Sequence, residues 1–134
     1  SAFGEHVIAF EVEEALKACI AKHPAQITEF HLAPQVTPTQ GLPYHQWLIE
    51  FEKMPENIEH FSLSLDHEMR TLNTYYNDLI TGNILKPLVV TCLKKNAFQE
   101  YAKSQGKLGG QNKIPRLAND RTIADYLERF NIEE

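Results

Sequence analysis

Gly106-Lys107-Leu108-Gly109-Gly110-Gln111-Asn112-Lys113-Ile114-Pro115-Arg116-Leu117 is the stretch whose residue types and spacing could do chemistry. Two adjacent glycines reach backbone conformations and close approaches that are closed to other residues. Lys113 and Arg116 follow three residues apart, and Pro115 restricts the backbone of Ile114 between them. A glycine-rich loop presenting a cation suits phosphate chemistry, because an ammonium can neutralise charge that grows on a phosphoryl group during transfer. The spacing is not that of a P-loop, since no Gly-Lys-Ser/Thr follows a strand and opens a helix. By composition alone, a surface loop with two basic residues reads the same way.

Other chemistries find less support. The six histidines (His6, His23, His31, His45, His60, His67) include no i, i+4 pair and no Cys-x-x-Cys partner, so no metal site is expected. There is no Gly-x-Ser-x-Gly elbow and no cysteine evidently paired with a histidine, which leaves covalent hydrolase chemistry unsupported. Glu50 and Glu52 are expected to point to solvent together. Cys19 and Cys92 lack any spacing framework and suit a reducing cytosol, so a cytoplasmic location is expected. No apolar run approaches the length of a bilayer span, so no membrane partner is expected.

The chain has 134 residues and a net charge of −5, enough for one domain with its own core and too little for a nucleotide-binding domain plus an acceptor domain. The charge is unevenly spread. Residues 1–85 carry a net −8, residues 86–121 a net +6, and residues 122–134 a net −3. A basic block in an acidic domain suggests a surface prepared for an anion, or a loop balanced by acidic neighbours in the fold. The block carries few aromatics, Phe98 and Tyr101 alone, which disfavours nucleic acid as the partner.

The elements that must position this loop can be read from periodicity. A helix is expected over 9–21, where Phe10, Val12, Ala15, Leu16, Cys19 and Ile20 form an apolar stripe closed by Pro24. Strands are expected over 27–36 and 44–52, joined by a loop with Pro38, Gly41 and Pro43. One long helix is expected over 58–76, then a connector over 77–87 and a short buried strand over 88–93. A helix over 97–104 should end at Gly106, and a terminal helix over 121–130 should be capped by Asp120. The order α-β-β-α-β-α-α implies an α+β fold, with a mixed sheet of about three strands covered by helices on one face.

Particular segments also resemble a known family. Gly4-Glu5-His6-Val7-Ile8-Ala9-Phe10-Glu11-Val12-Glu13 looks like the start of the C-terminal domain of adenylate-forming enzymes. Gly82-Asn83-Ile84-Leu85-Lys86-Pro87-Leu88, Lys95-Asn96-Ala97-Phe98-Gln99-Glu100-Tyr101 and Gln111-Asn112-Lys113-Ile114-Pro115-Arg116 are similar, in order and spacing, to the auxin-responsive acyl-acid amido synthetases, the Gretchen Hagen family. Pro43-Tyr44-His45-Gln46-Trp47-Leu48-Ile49-Glu50 is a looser match. Asn112 stands where the plant enzymes carry an aromatic, so a bacterial relative is expected.

The resemblance implies that residues 1–134 are the mobile C-terminal domain of a two-domain ligase whose large N-terminal domain is absent. Such a ligase adenylates a carboxylic acid with ATP and Mg2+, held mainly by the N-terminal domain, then conjugates the acyl group to an amino acid. The C-terminal domain rotates between the two steps, and alone it would be inactive and hold no cofactor. Carried over by position, Lys113 acts in adenylation, Gly109, Gly110, Gln111 and Arg116 belong to the nucleotide-binding loop, and Gly4, Glu5 and His6 form the face used in the second half-reaction. Two alternatives stay open: a domain of an acyl-CoA-forming adenylating enzyme, and a freestanding module that binds an anion or nucleic acid.

Overall fold

The computed structural model describes residues 7–106 and 113–133. Helix α1 (Ala9–Lys22) is followed by strands β1 (Gln26–Gln35) and β2 (Tyr44–Lys53), helices α2 (Ile58–Leu72) and α3 (Thr74–Thr81), and strand β3 (Val89–Leu93). Helix α4 (Ala97–Ser104), helix α5 (Thr122–Leu127) and a 3-10 turn (Glu128–Phe130) complete the order. β1 and β2 form the expected antiparallel hairpin, and β3 returns parallel to β2 after the helical crossover, giving a three-stranded mixed sheet in the order β1-β2-β3. The α+β class and the element order read from periodicity therefore hold.

The expected helix over 58–76 is two helices. Asn73 is extended, and its side chain accepts a hydrogen bond from Tyr76 N–H (2.7 Å), so α2 stops and α3 restarts with Asn73 as its cap. The stretch over 77–81, expected as connector, belongs to α3. Tyr76 then turns inward, where its hydroxyl donates to the buried Asp66 carboxylate, which also accepts from Leu88 N–H.

Helices cover both faces of the sheet, not one. β2 is buried without a break from His45 to Phe51, a pattern that needs cover on each side. Phe30, Leu32, Trp47, Ile49 and Phe51 face α1 and α2, where Val12, Leu16, Phe61, Leu65 and Met69 complete the larger core. The alternate positions Ala33, Leu48 and Leu93 face α4 and α5 and pack with Ala97, Phe98, Ala124 and Leu127. This second layer comes from the last third of the chain, the part that carries Lys113.

Candidate functional site

The second sheet face carries polar residues among its apolar ones, and each ties down one C-terminal element. Glu50, expected in solvent, is buried, and its carboxylate accepts from Asn96 N–H (2.9 Å) and Phe98 N–H (3.2 Å) at the start of α4. Asn96 sits at φ +74° and supplies no side-chain cap, so the carboxylate from β2 takes that place, where the helix dipole favours a negative group. Its neighbour Glu52 is exposed and pairs with Lys95. Gln46 donates to Thr91 Oγ1 (2.9 Å) and Glu128 Oε1 (3.1 Å) and accepts from Arg121 (2.8 Å), which in turn pairs with Asp125 and Glu128. Asp120, expected as the cap of α5, lies one residue before it: the N-cap position is Arg121, which caps with no side chain, and Asp120 accepts from Thr122 N–H (3.0 Å) as a local turn.

His31 anchors the segment between these helices. It is fully buried, and its Nδ1 lies 2.6 Å from the carbonyl oxygen of Pro115. Burial pushes the imidazole below its ordinary pKa, against a smaller opposing effect of the Pro115 carbonyl. One residue further on, the loop docks along the outer edge of β1. Leu32 N–H donates to Arg116 O (2.8 Å), Ala118 N–H donates to Leu32 O (3.0 Å), and Leu117 forms a parallel bridge with Leu32. The Arg116 guanidinium donates to Glu29 and Glu13, each at 2.8 Å, and lies over the Phe30 ring. Partial burial works against its charge, but the two carboxylates outweigh that and hold its pKa above the usual value. Arg116 thus fastens the loop to α1 and β1.

Lys113 stands just upstream of these anchors. Ile114 packs into the smaller core. A cleft of about 90 Å³ separates Lys113, Ile114 and Pro115 from Tyr101, Ala102 and Gln105 of α4 and Ile123 of α5. Lys113 is exposed and makes no ion pair among the described residues, whereas most of the basic block around it is engaged. Lys95, Lys103, Arg116 and Arg121 meet carboxylates, and Lys86 lies over the Tyr44 ring. The positive block is therefore largely balanced by acidic neighbours, and Lys94 and Lys113 are its exposed members without an ion pair among the described residues.

Of the residues singled out in the sequence, Lys113 and Arg116 share one anchored loop. Gly4, Glu5, His6, Gly109, Gly110 and Gln111 lie outside the described residues. Val7, next to the first of these segments, is buried beside Leu32, Leu117 and Ala118, so Val7 and the docked arm of the loop share the β1 edge. Among the described residues no three His, Cys, Asp or Glu side chains converge to hold a metal ion, and no helix is long and apolar enough to cross a membrane. Sequence reasoning missed His31, Gln46 and Glu50. Their signal was a polar residue recurring inside strands that otherwise read as buried.

Fold and site together define a small α+β domain that displays one lysine from a loop clamped to a sheet edge. The profile described as GH3 family C-terminal domain matches residues 10–122, and the chain belongs to that family. Its structure is similar to a GH3.15 acyl acid amido synthetase, with a TM-score of 0.76 and 17% identity over 98% of this chain and 25% of that one. It is also similar to AtGH3.15 acyl acid amido synthetase in complex with 2,4-DB, with a TM-score of 0.68 and 16% identity over 91% of this chain and 23% of that one. At these identities the likeness speaks for the fold. The chain spans about a quarter of the length of the solved structures it matches. No curated protein matches the sequence.

Proposed function

We propose that this chain is the C-terminal lid of a cytoplasmic ATP-dependent ligase that adenylates a carboxylic acid and joins it to an amino acid, and that Lys113 serves the first step. In adenylation a carboxylate oxygen bonds to the α-phosphorus of ATP and the bond to pyrophosphate breaks. The Lys113 ammonium neutralises negative charge growing on the phosphoryl oxygens. In the second step the amine of the amino acid bonds to the acyl carbon, loses a proton, and AMP leaves with the bonding pair. The lid turns between the steps, bringing Lys113 to the nucleotide for the first and the 4–6 segment for the second. ATP and Mg2+ are held mainly by the N-terminal domain, so the lid alone is inert.

The observation that carries this reading is Lys113 itself: an exposed cation without an ion pair among the described residues, on a loop whose neighbouring charges are spent on anchoring, in a GH3 C-terminal domain. Two further features support it. Ile8 and Phe10 are exposed at the start of α1, an apolar surface suited to a second domain. Cys19 and Cys92 are free thiols, which suits a reducing compartment.

The test is Lys113→Ala in the full-length protein, with carboxylates screened from 2,4-DB outward. Carboxylate-dependent ATP–pyrophosphate exchange should fall on the order of 10²–10³-fold, with the thermal midpoint unchanged. Exchange at the wild-type rate would remove Lys113 from the mechanism. Mass spectrometry of the product distinguishes an amide from a coenzyme A thioester.

A further inference from the structure

We infer that His31 is the positioning residue for Lys113, acting through its hydrogen bond to the Pro115 carbonyl; this rests on the adenylation role proposed for Lys113. The docked arm of the loop is held at 116–118 by backbone bonds to Leu32. Upstream of that arm the ladder stops, because Phe30 N–H, the next donor on the β1 edge, is taken by Glu29 Oε1 (3.0 Å). Its carbonyl is the last backbone group before Lys113 that a described side chain holds, and the holder is His31 Nδ1 at 2.6 Å. A carbonyl only accepts, so Nδ1 carries the proton, and burial with Nε2 unpartnered favours the neutral ring.

Packing alone does not account for an imidazole at this place. His31 is fully buried, and its Nε2 has no hydrogen-bond partner among the described residues. An apolar side chain would fill the same volume without burying a polar atom. What His31 adds is the fixed point at Pro115. Ile114 packs inward, and Lys113 then leaves the loop from a backbone held on its C-terminal side. A Lys ammonium acts on a phosphoryl group only at contact distance, so a drift of about 1 Å in its base costs up to ~10²-fold in rate. His31→Leu keeps the bulk and removes the donor. His31→Asn returns an N–H near the position of Nδ1.

The experiment has two arms. In the 134-residue chain, amide hydrogen exchange is followed at Leu32 and Ala118, the two donors of the docked arm. His31→Leu should speed exchange at both while β2 amides keep their protection, and His31→Asn should restore the wild-type pattern. Unchanged protection at Leu32 and Ala118 would overturn the inference. If His31→Leu also exposes β2, His31→Asn becomes the deciding variant, and it must keep both sites protected for the inference to stand.

In the full-length protein, with an acid that supports wild-type turnover, the half-reactions are measured separately. His31→Leu should lower the exchange rate constant roughly ten- to a hundredfold. The KM for ATP and amide formation from pre-formed acyl-adenylate should stay at wild-type values, and no further loss should appear in a Lys113→Ala background. Equal loss in both half-reactions would make His31 merely structural. Should Lys113→Ala leave exchange intact, the adenylation role falls on its own, and hydrogen exchange still decides whether His31 holds the loop.

Discussion

Glu50 shows how much a single side chain does when a strand is buried on both faces. Alternation with Ile49 and Phe51 points it away from the larger core, and the sequence reading takes away to mean solvent. The second helical layer makes it a buried carboxylate receiving two backbone N–H groups of α4. Glu50→Ala leaves those donors unpaired in a dry place, which costs about 2 kcal/mol. Glu50→Gln keeps an acceptor and should lose about half of that. Urea unfolding of the two variants checks the order, and equal midpoints for Ala and Gln would show that the carboxylate is not the cap. Lys113 and Arg116 differ in the same way. Three residues apart on one loop, one is exposed without an ion pair among the described residues, while the other is engaged by Glu13, Glu29 and the Phe30 ring.

Elements are set by competition between local signals and partners from elsewhere in the chain. The periodic run from Ile58 onward supports one helix past Leu72, yet Asn73 offers its side chain to Tyr76 N–H and breaks it. The break lets Tyr76 reach Asp66 and brings α3 under His45, whose ring stacks on Tyr76 at 5.1 Å. Asn73 also donates to Glu11 of α1 (2.8 Å), so the joint is held from two sides. Asn73→Ala should destabilise the domain by about 1 kcal/mol through the lost cap. Exchange of the Tyr76 amide should rise ahead of amides in mid-α2. A variant with wild-type protection at Tyr76 would show that packing, not the asparagine, makes the break.

At the scale of the whole molecule, the described residues include two imidazoles, His31 and His45, that burial pushes toward the neutral form, and that makes stability depend on pH. Burial pushes His45 down to about 4 from 6.5, and it pushes His31 down as well, with Asp120 and Arg121 exerting opposite smaller effects on the latter. The unfolded chain takes up protons on both below pH 6.5, and the folded chain resists, so their contribution is full above pH 6.5 and falls as pH drops toward 4. For His45 the loss across that window is on the order of 3 kcal/mol. His45→Phe should keep the ring stack and flatten that part of the profile. Urea midpoints at several pH values give the comparison, and parallel profiles for the variant and wild type would rule His45 out as the source.

The sequence by itself determined the class of fold, the hairpin, the parallel return strand and the two C-terminal helices, because periodicity and Gly, Pro and Asp punctuation act within a few residues. It also carried the family, since the motif around Lys113 and the segment over 82–101 keep their order and spacing. The tertiary structure alone decided that the sheet is covered on both faces, that Glu50 is a buried cap, and that the basic block is mostly paired. It alone decided that His31 and Pro115 meet across 84 positions of chain. Polar atoms in a dry layer find partners wherever the packing of elements brings them, and sequence distance says nothing about which partners those are. The lysine loop was legible as a motif, while its placement rests on partners from α1 and β1.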